Sequence, residues 1–446
     1  MIRLIGADVL HNVRIWAGAF AVTVAAGFVG TFAASLIDTG QRYEGDVTLF
    51  LSGGSMALLM FTSISAVIVL SSISNLTVAL QRRSYALWQL IGVRPSRVAR
   101  VVMAQLLLVT VLGGVTGILL ALPVLNPAFA LIFHTWSAIT RVTFTLSLPA
   151  ALCVVAGVAA VMLLGGLRGA RRSSRVAPIV ALRETDHVVM RVRWFRMLLA
   201  AATLAGLCWA AASLYGAEFT YILNTSIVIT PLIAALIAIL GPLLLPATQR
   251  AWTSLVPRRA SASWFLARNS AGFRLSQSAA AISPLMVAIA LTGGLYTTSA
   301  LLRQSLIERT GNDQGWSLPL ETVVLTLGGP LLLSAVAAAA TVYMTSHARE
   351  HEFALTLAAG ATHRTVIAMA VWEAVIYATS AAVLGLVAVA GGGLIVATAL
   401  GLQSIPLSWA STGIIAGGGF VLLLAATVVP TIMSLRHSVA RTLAAE

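Results

Sequence analysis

The chain has 446 residues, of which 59% are hydrophobic and only 9% are charged, whereas soluble domains carry about 25% charged residues. So few polar groups cannot cover a water-facing surface, which excludes an ordinary soluble protein and predicts that most of the chain lies in lipid. The net charge of +14 could suggest nucleic-acid binding. The arginines fall in short loops between apolar runs, where cytoplasmic topology signals lie, so we expect no nucleic-acid partner.

All 28 basic residues are arginine, and the chain contains no lysine. A phosphate-binding loop of the form G-x-x-x-x-G-K-[ST] needs its lysine to reach the nucleotide phosphates. The chain therefore cannot build that site, and if it uses ATP, a partner must hydrolyse it. Cys153 and Cys208 lie inside apolar runs, where we expect small buried side chains and neither a disulfide framework nor a metal-binding C-x-x-C pair. Nothing in the sequence predicts a catalytic site, a metal site or a bound cofactor.

Ten apolar runs are long enough to cross a membrane, since a helix needs about 20 mainly apolar residues to span the ~30 Å hydrocarbon core. The first run is too long for a cleavable signal peptide and shows no small-residue cleavage site followed by a soluble domain. The sequence therefore predicts an all-α polytopic protein with about ten transmembrane helices. They cover approximately residues 15–36, 55–79, 101–122, 147–166, 197–215, 225–247, 279–300, 322–345, 366–390 and 411–433.

The arginines predict the orientation of these spans. Of the 28, 24 fall in one set of alternate loops, and the other set holds Arg42, Arg141, Arg303 and Arg309. Because basic loops stay in the cytoplasm, both termini are expected there. The composition, rich in Ala, Val, Leu, Gly and Arg, is typical of GC-rich bacteria, so we expect the inner (plasma) membrane of a bacterium. The outer loops are short, the longest covering roughly residues 123–146.

An internal repeat relates the two ends of the chain at an offset of 268 residues. Spans two to four align with spans eight to ten, and both copies begin in the cytoplasm, so they are parallel repeats. We therefore predict a first four-span repeat over residues 1–167, a linker with two spans over 168–262, and a second four-span repeat over 263–446. The aligned positions include Arg83–Val93 with His351–Ala361, Gln105 with Glu373, Gly117 with Gly385, and Arg168 with Arg436.

The repeated segment is a loop that joins span two to three and span eight to nine. In the first copy Tyr85, Leu87, Leu90 and Ile91 recur at helical spacing. A glycine, Gly92 here and Gly360 in the second copy, stands where a short helix would end. Each copy predicts a short amphipathic helix at the cytoplasmic face, and the alternative is an interfacial helix that only anchors the ends of the spans.

The second copy resembles the signature of the FtsX-like permease family, the membrane subunits of a class of ABC transporters. That signature combines R-x-x-E, a leucine shortly before Gly-Ala, and a following span that begins with Glu. The first copy is degenerate, because Ser84, Val93 and Gln105 replace Glu, Ala and Glu. A basic stretch leading through Pro178 to Ala-Leu-Arg resembles the family's segment after the fourth span, and the C-terminal copy of it is weaker. The matching residues of the second copy are Arg349, Glu352, Leu355, Gly360, Ala361 and Glu373.

The resemblance implies a separate cytoplasmic ATPase in two copies, with one loop of the permease contacting each copy. In the interface between each loop and the ATPase, arginine and glutamate side chains would make polar contacts at the rim, and apolar side chains would make contacts at the centre. Alternatively, the arginines only set the orientation of the spans, and the aromatic side chains lie in the interface between lipid and water. The implied coupling residues are Arg83, Tyr85, Leu87, Gly92, Arg349, Glu352, Phe353, Leu355 and Gly360.

Gln105 and Glu373 are the polar residues of interest inside the spans. An ionisable residue in a span is a functional candidate. We favour a hydrogen bond or ion pair of Glu373 with Arg349 or Arg364, because a proton relay needs further acidic residues deep in other spans.

Three function classes follow. The first is the permease of an ATP-driven exporter or extractor of lipophilic compounds, peptides or lipids. The second is a mechanical transmitter that regulates an envelope enzyme or a sensor kinase without moving a substrate. The third, a secondary transporter, ranks last because inverted repeats and intramembrane charges are missing. The ten-span arrangement is similar to that of antimicrobial-peptide transporters, but their large extracellular domain between spans seven and eight is replaced here by a loop of roughly residues 301–321.

Overall fold

A computed structural model describes residues 12–43, 46–134, 142–173, 194–257, 261–273, 275–311, 320–402 and 409–435. These residues form helices and connecting turns, with no strand among them. Ten of the helices are long and apolar enough to cross a membrane, and they coincide with the ten runs predicted above. The predicted all-α, ten-span fold is therefore confirmed.

The helices follow one another along the chain in three groups. The first group is α1 (Val13–Gly40), α2 (Asp46–Leu80), α3 (Arg82–Leu90), α4 (Pro95–Ile132) and α5 (Leu148–Ser173). The linking group is α6 (Trp194–Leu214), α7 (Phe219–Ile239), α8 (Gly241–Thr253) and α9 (Ala262–Phe273). The last group is α10 (Leu275–Thr310), α11 (Leu320–Ala358), α12 (His363–Leu400) and α13 (Trp409–Leu435).

Five spans are much longer than a membrane requires, among them α11 with 39 residues and α2 with 35. α4 and α12 have 38 residues each and α10 has 36, so they reach about 54–57 Å at 1.5 Å per residue. The outer loop predicted over residues 123–146 is correspondingly shorter, because residues 123–132 continue α4. Pro123 and Pro127 lie inside this helix, and membrane helices tolerate proline because neighbouring groups satisfy the carbonyls it frees.

The first four spans and the last four pack in the same pattern. α1 has its largest contact with α4, and α5 lies against α1, α2 and α4. Likewise α10 has its largest contact with α12, and α13 lies against α10, α11 and α12. The two sets meet where α11 crosses α1 and α2 and where α10 crosses α2. Their common core contains Leu70 and Ile73 from α2 with Leu333 and Ala337 from α11.

Glycines permit the closest of these helix contacts, as small residues do in membrane helices generally. A Cβ added at Gly27 of α1 would lie 2.6 Å from the carbonyl oxygen of Gly114 on α4. A Cβ at Gly385 of α12 would lie 2.7 Å from the Ile289 side chain of α10. The pairs α1–α4 and α10–α12 therefore approach almost to backbone contact.

The two linking spans lie against the last four spans. α7 contacts α10 and α12, and α6 packs mainly on α7. The hydroxyls of Tyr215 and Thr398 are 3.1 Å apart, and the Arg309 guanidinium lies 5.4 Å from the centre of the Phe219 ring. The sixth span was predicted to reach residue 247, but α7 ends at Ile239 and α8 is a separate helix with prolines near its start and in its interior.

The prediction that both cysteines are buried is wrong. Cys153 on α5 and Cys208 on α6 are free thiols on exposed helix faces. An apolar run shows that a helix lies in the membrane, but it does not show which of its faces meets lipid and which meets protein. α5 and α6 belong to the spans with the largest lipid-facing surface.

Candidate functional site

The first repeated loop contains a separate short helix, as predicted. Tyr85 on α3 is buried and its hydroxyl donates a hydrogen bond to Oε1 of Gln81. Its ring lies 5.6 Å from the ring of Trp88, and it belongs to a core cluster with Val102 of α4. The aromatic residues therefore hold α3 against the start of the next span.

The second repeated loop does not contain a separate helix, so that part of the prediction is wrong. α11 runs without a break from Leu320 to Ala358, so the segment that aligns with α3 forms the last turns of α11. The first loop breaks at Gln81, which aligns with Arg349. No glycine or proline marks that position in either copy, and helical spacing alone cannot tell one long helix from two.

Both loops end in the same hydrogen-bonded turn. The amide of Gly92 donates to the carbonyl of Gln89 at 3.0 Å, and the amide of Val93 donates to the carbonyl five residues earlier, also at 3.0 Å. The equivalent amides of Gly360 and Ala361 make the same bonds at 2.9 and 3.2 Å. Both glycines have positive φ, 91° and 93°. This is the Schellman ending of a helix, in which a left-handed residue reverses the chain.

The spans that follow the two turns begin at aligned positions, but different residues form their N-terminal ends. α4 begins with Pro95, whose missing amide costs nothing in the first turn. α12 begins after Thr362, whose side chain accepts a hydrogen bond from the amide of Thr365 at 3.3 Å. Both helices then run for 38 residues.

Each loop exposes a leucine at the same position. Leu87 is 49% exposed and Leu355, its aligned partner, is 50% exposed. In the first loop Leu90 and Ile91 are exposed as well, whereas the aligned positions of the second loop hold the small residues Ala358 and Ala359. Tyr85 faces the interior, so the exposed apolar surface of the first loop consists of Leu87, Leu90 and Ile91.

Several predicted site residues have described backbones only. The side chains of Arg83, Arg349, Glu352 and Phe353 lie outside the described residues, so their predicted contacts stay predictions. The segment after the fourth span, beyond Ser173, also lies outside the described residues.

Gln105 and Glu373 are both buried, and each lies ten residues after the first residue of its helix. Arg364, one of the two partners predicted for Glu373, has an exposed side chain. The ion pair or hydrogen bond proposed for Glu373 therefore remains a prediction, and the burial of both residues shows only that they face protein.

The opposite end of the spans carries a small folded cap. Asp38 of α1 accepts hydrogen bonds from the amide and hydroxyl of Ser147 at 2.8 and 2.9 Å, and it pairs with Arg42 at 3.0 Å. The ring of Phe144 lies 4.1 Å from that of Phe129 on α4. Within the described part of the chain, no cluster of three His, Cys, Asp or Glu side chains could hold a metal ion.

A tryptophan cluster on the first half of α12 was not predicted. Trp264 of α9 is buried, and its ring lies 5.1 Å from that of Trp372 on α12 and 6.0 Å from that of Trp252 on α8. The indole of Trp252 donates to the Ser380 hydroxyl at 3.0 Å. The linking group thus packs against the first half of α12. No local sequence pattern reveals this long-range contact.

The ten apolar helices among the described residues define a polytopic α-helical membrane protein. Residues 331–439 match the family described as FtsX-like permease C-terminal, a segment that contains the end of α11, the second loop, all of α12 and α13. This part of the chain is therefore similar to an FtsX-like permease C-terminal domain, and the ten apolar helices are consistent with a membrane component of an ABC transporter. The chain matches no curated protein.

Proposed function

We propose that the protein is the permease subunit of an ATP-driven ABC transporter of a bacterial inner membrane. A separate cytoplasmic ATPase, in two copies, would bind the two repeated loops. Its cycle would drive export or extraction of a lipophilic compound, a peptide or a lipid, with the termini and both loops in the cytoplasm.

The paired loops are the observation that carries this proposal. Two segments 268 residues apart lie on the same side of the spans, end in the same turn and expose Leu87 and Leu355 equally. A partner with two similar subunits would meet two similar surfaces related by an approximate twofold axis. The matching packing of the first and last four spans supports the same pseudo-symmetric division into 1–167 and 263–446, with 168–262 as linker.

The long helices offer a route from these loops to the far side of the membrane. α4 and α12 start directly after the two turns and reach about 57 Å without interruption. A push on either loop would move the opposite end of its helix. For α4 that end lies in the cap around Phe129 and Asp38.

The second candidate, a mechanical transmitter, uses the same loops and helices but acts on an envelope partner. The hairpins that join α1 to α2 and α10 to α11 are too short to hold a folded domain, since α1 ends at Gly40, α2 begins at Asp46, and the other connection lies between Thr310 and Leu320. A transporter therefore fits better than a transmitter, which needs an outer surface large enough for its partner.

Co-purification tests the proposal. The chain and the ABC ATPase encoded beside it would be co-expressed, and Leu87→Asp, Leu355→Asp and the double variant would be compared with Leu204→Asn, a change at an exposed leucine of α6. We expect the double loop variant alone to abolish co-purification and ATPase stimulation in nanodiscs. We also expect the isolated chain to bind no ATP, because it has no lysine. Tight ATP binding by the chain, or unchanged ATPase recovery with the double variant, would overturn the proposal.

A further inference from the structure

The elbow consists of α8, the turn after it and α9 (residues 241–257 and 261–273). The elbow connects span six to span seven on the same side of the spans as Gly92 and Gly360. One face of each helix is buried, through Leu245 and Gln249 on α8 and through Trp264 and Ala267 on α9. The other faces of the two helices are uncovered.

The uncovered faces combine bulky apolar side chains with arginine. Leu255, in the turn after α8, is 82% exposed, and Phe265 and Phe273 on α9 are about half exposed. Arg250 in the last turn of α8 is exposed and Arg268 on α9 is half-buried. Among the described residues, neither arginine side chain has a hydrogen bond or an ion pair.

The surrounding sequence is strongly one-sided in charge. No acidic residue occurs between Glu218 and Glu308, and five arginines fall between spans six and seven, namely Arg250, Arg258, Arg259, Arg268 and Arg274. Topology alone would require basic residues here, but it would not require large aromatic side chains at the surface beside them. An apolar face flanked by arginine is the pattern of a helix that lies in the membrane interface and attracts anionic lipid.

The tryptophans place the elbow near the depth of lipid headgroups. Trp252, Trp264 and Trp372 cluster between the elbow and the first half of α12, and tryptophan is enriched at the boundary between hydrocarbon and water. A lipid bound here would lie beside the helix that follows the second loop.

We propose that the elbow is a binding site for an anionic phospholipid of the cytoplasmic leaflet. Arg250 and Arg268 contact the phosphate, and Leu255, Phe265 and Phe273 lie against the acyl chains. The proposal rests on the orientation given under the proposed function, but it does not require the ATPase. Binding would reinforce the contact of the elbow with α12 and so steady the helix that receives motion from the second loop.

Native mass spectrometry of the full chain in neutral detergent, titrated with dioleoyl phosphatidylglycerol or dioleoyl phosphatidylcholine, tests the site. An arginine near an anionic surface contributes about fivefold to affinity, so Arg250→Ala with Arg268→Ala should weaken phosphatidylglycerol binding about thirtyfold. The matched control is Arg97→Ala with Arg100→Ala, two exposed arginines at the start of α4. Phe265→Ser keeps all charges and should weaken binding about fivefold through lost apolar contact.

Three results would overturn the proposal. The first is equal loss in the elbow and control variants, which would indicate general charge attraction. The second is displacement of the lipid by millimolar inorganic phosphate, which would indicate a free-phosphate site. The third is unchanged lipid binding in the elbow variant with loss of ATPase co-purification, which would make the elbow a protein contact.

All changes are at exposed or half-buried positions, and an unchanged melting temperature confirms that each variant folds. The lipid titration omits the ATPase, so its failure is distinguishable from failure of the coupling proposal.

Discussion

Gly92 and Gly360, 268 residues apart in the chain, adopt the same left-handed backbone, with φ of 91° and 93°. A Cβ added at either glycine would meet nothing within 4 Å. The requirement for glycine is therefore conformational and not steric. Each glycine fixes the angle between a loop surface and the long span that follows.

Replacing these glycines should impair coupling at little cost to folding. A left-handed backbone costs a residue with a Cβ about 1–2 kcal/mol, so Gly92→Ala and Gly360→Ala should shift the turn and lower ATPase stimulation in nanodiscs. Gly311→Ala is the matched control, since this glycine also has positive φ, 68°, and open space, but it follows α10 on the opposite side. An equal loss of stimulation in the control would show that the effect is general destabilisation.

The sequence predicts the spans well because hydropathy is a local property. All ten runs were found, and the glycine turns of both loops follow from a local rule about helix ends. The buried position of Tyr85 was not predictable, since it depends on packing against α4. The clamp of Trp264 on Trp372 joins residues more than 100 positions apart, and no periodicity carries such information.

The contact between α1 and α4 predicts that alanine will destabilise the protein at one of two neighbouring glycines and not at the other. A Cβ at Gly27 would lie 2.6 Å from a backbone oxygen of α4, so Gly27→Ala must push the helices apart. A Cβ at Gly114 would lie 3.5 Å from its nearest neighbour, the Val155 side chain, which is an ordinary contact. We expect overpacking at Gly27 to cost about 1–3 kcal/mol and Gly114→Ala to be nearly neutral. Thermal unfolding in detergent measures both, and similar melting temperatures for the two variants would contradict the close approach.

The orientation of the spans predicts which positions a membrane-impermeant thiol reagent reaches in whole cells. In a background without the two native cysteines, cysteine at Gln41 or Gly311 should be labelled from outside. Cysteine at Ser96 or Ser261 should be labelled only after the membrane is permeabilised. All four positions are exposed in the structure, so burial does not explain a failure to react. Outside labelling at Ser261 would show that spans five and six have been assigned wrongly.

The two loops should contribute to ATPase binding through different kinds of contact. The second loop keeps Glu352, whereas the first has Ser84 in that position. The first loop instead exposes Ile91, which is 80% exposed, where the second has Ala359. One loop is therefore richer in charge and the other in apolar surface.

This difference predicts a reciprocal pattern in two pairs of variants. Truncating one member of a desolvated charged pair costs about 2–5 kcal/mol, partly because its partner is left unpaired, so Glu352→Ala should weaken ATPase association far more than Ser84→Ala. Burying a large aliphatic side chain is worth about 1.5–3 kcal/mol, so Ile91→Ser should weaken it far more than Ala359→Ser. Co-purification and ATPase turnover in nanodiscs measure all four variants.

If both loops act through apolar packing alone, Glu352→Ala and Ser84→Ala will be nearly silent while Leu87→Asp and Leu355→Asp remain equally disruptive. Equal, small effects of Glu352→Ala and Ser84→Ala would therefore refute the asymmetry and leave packing as the basis of coupling.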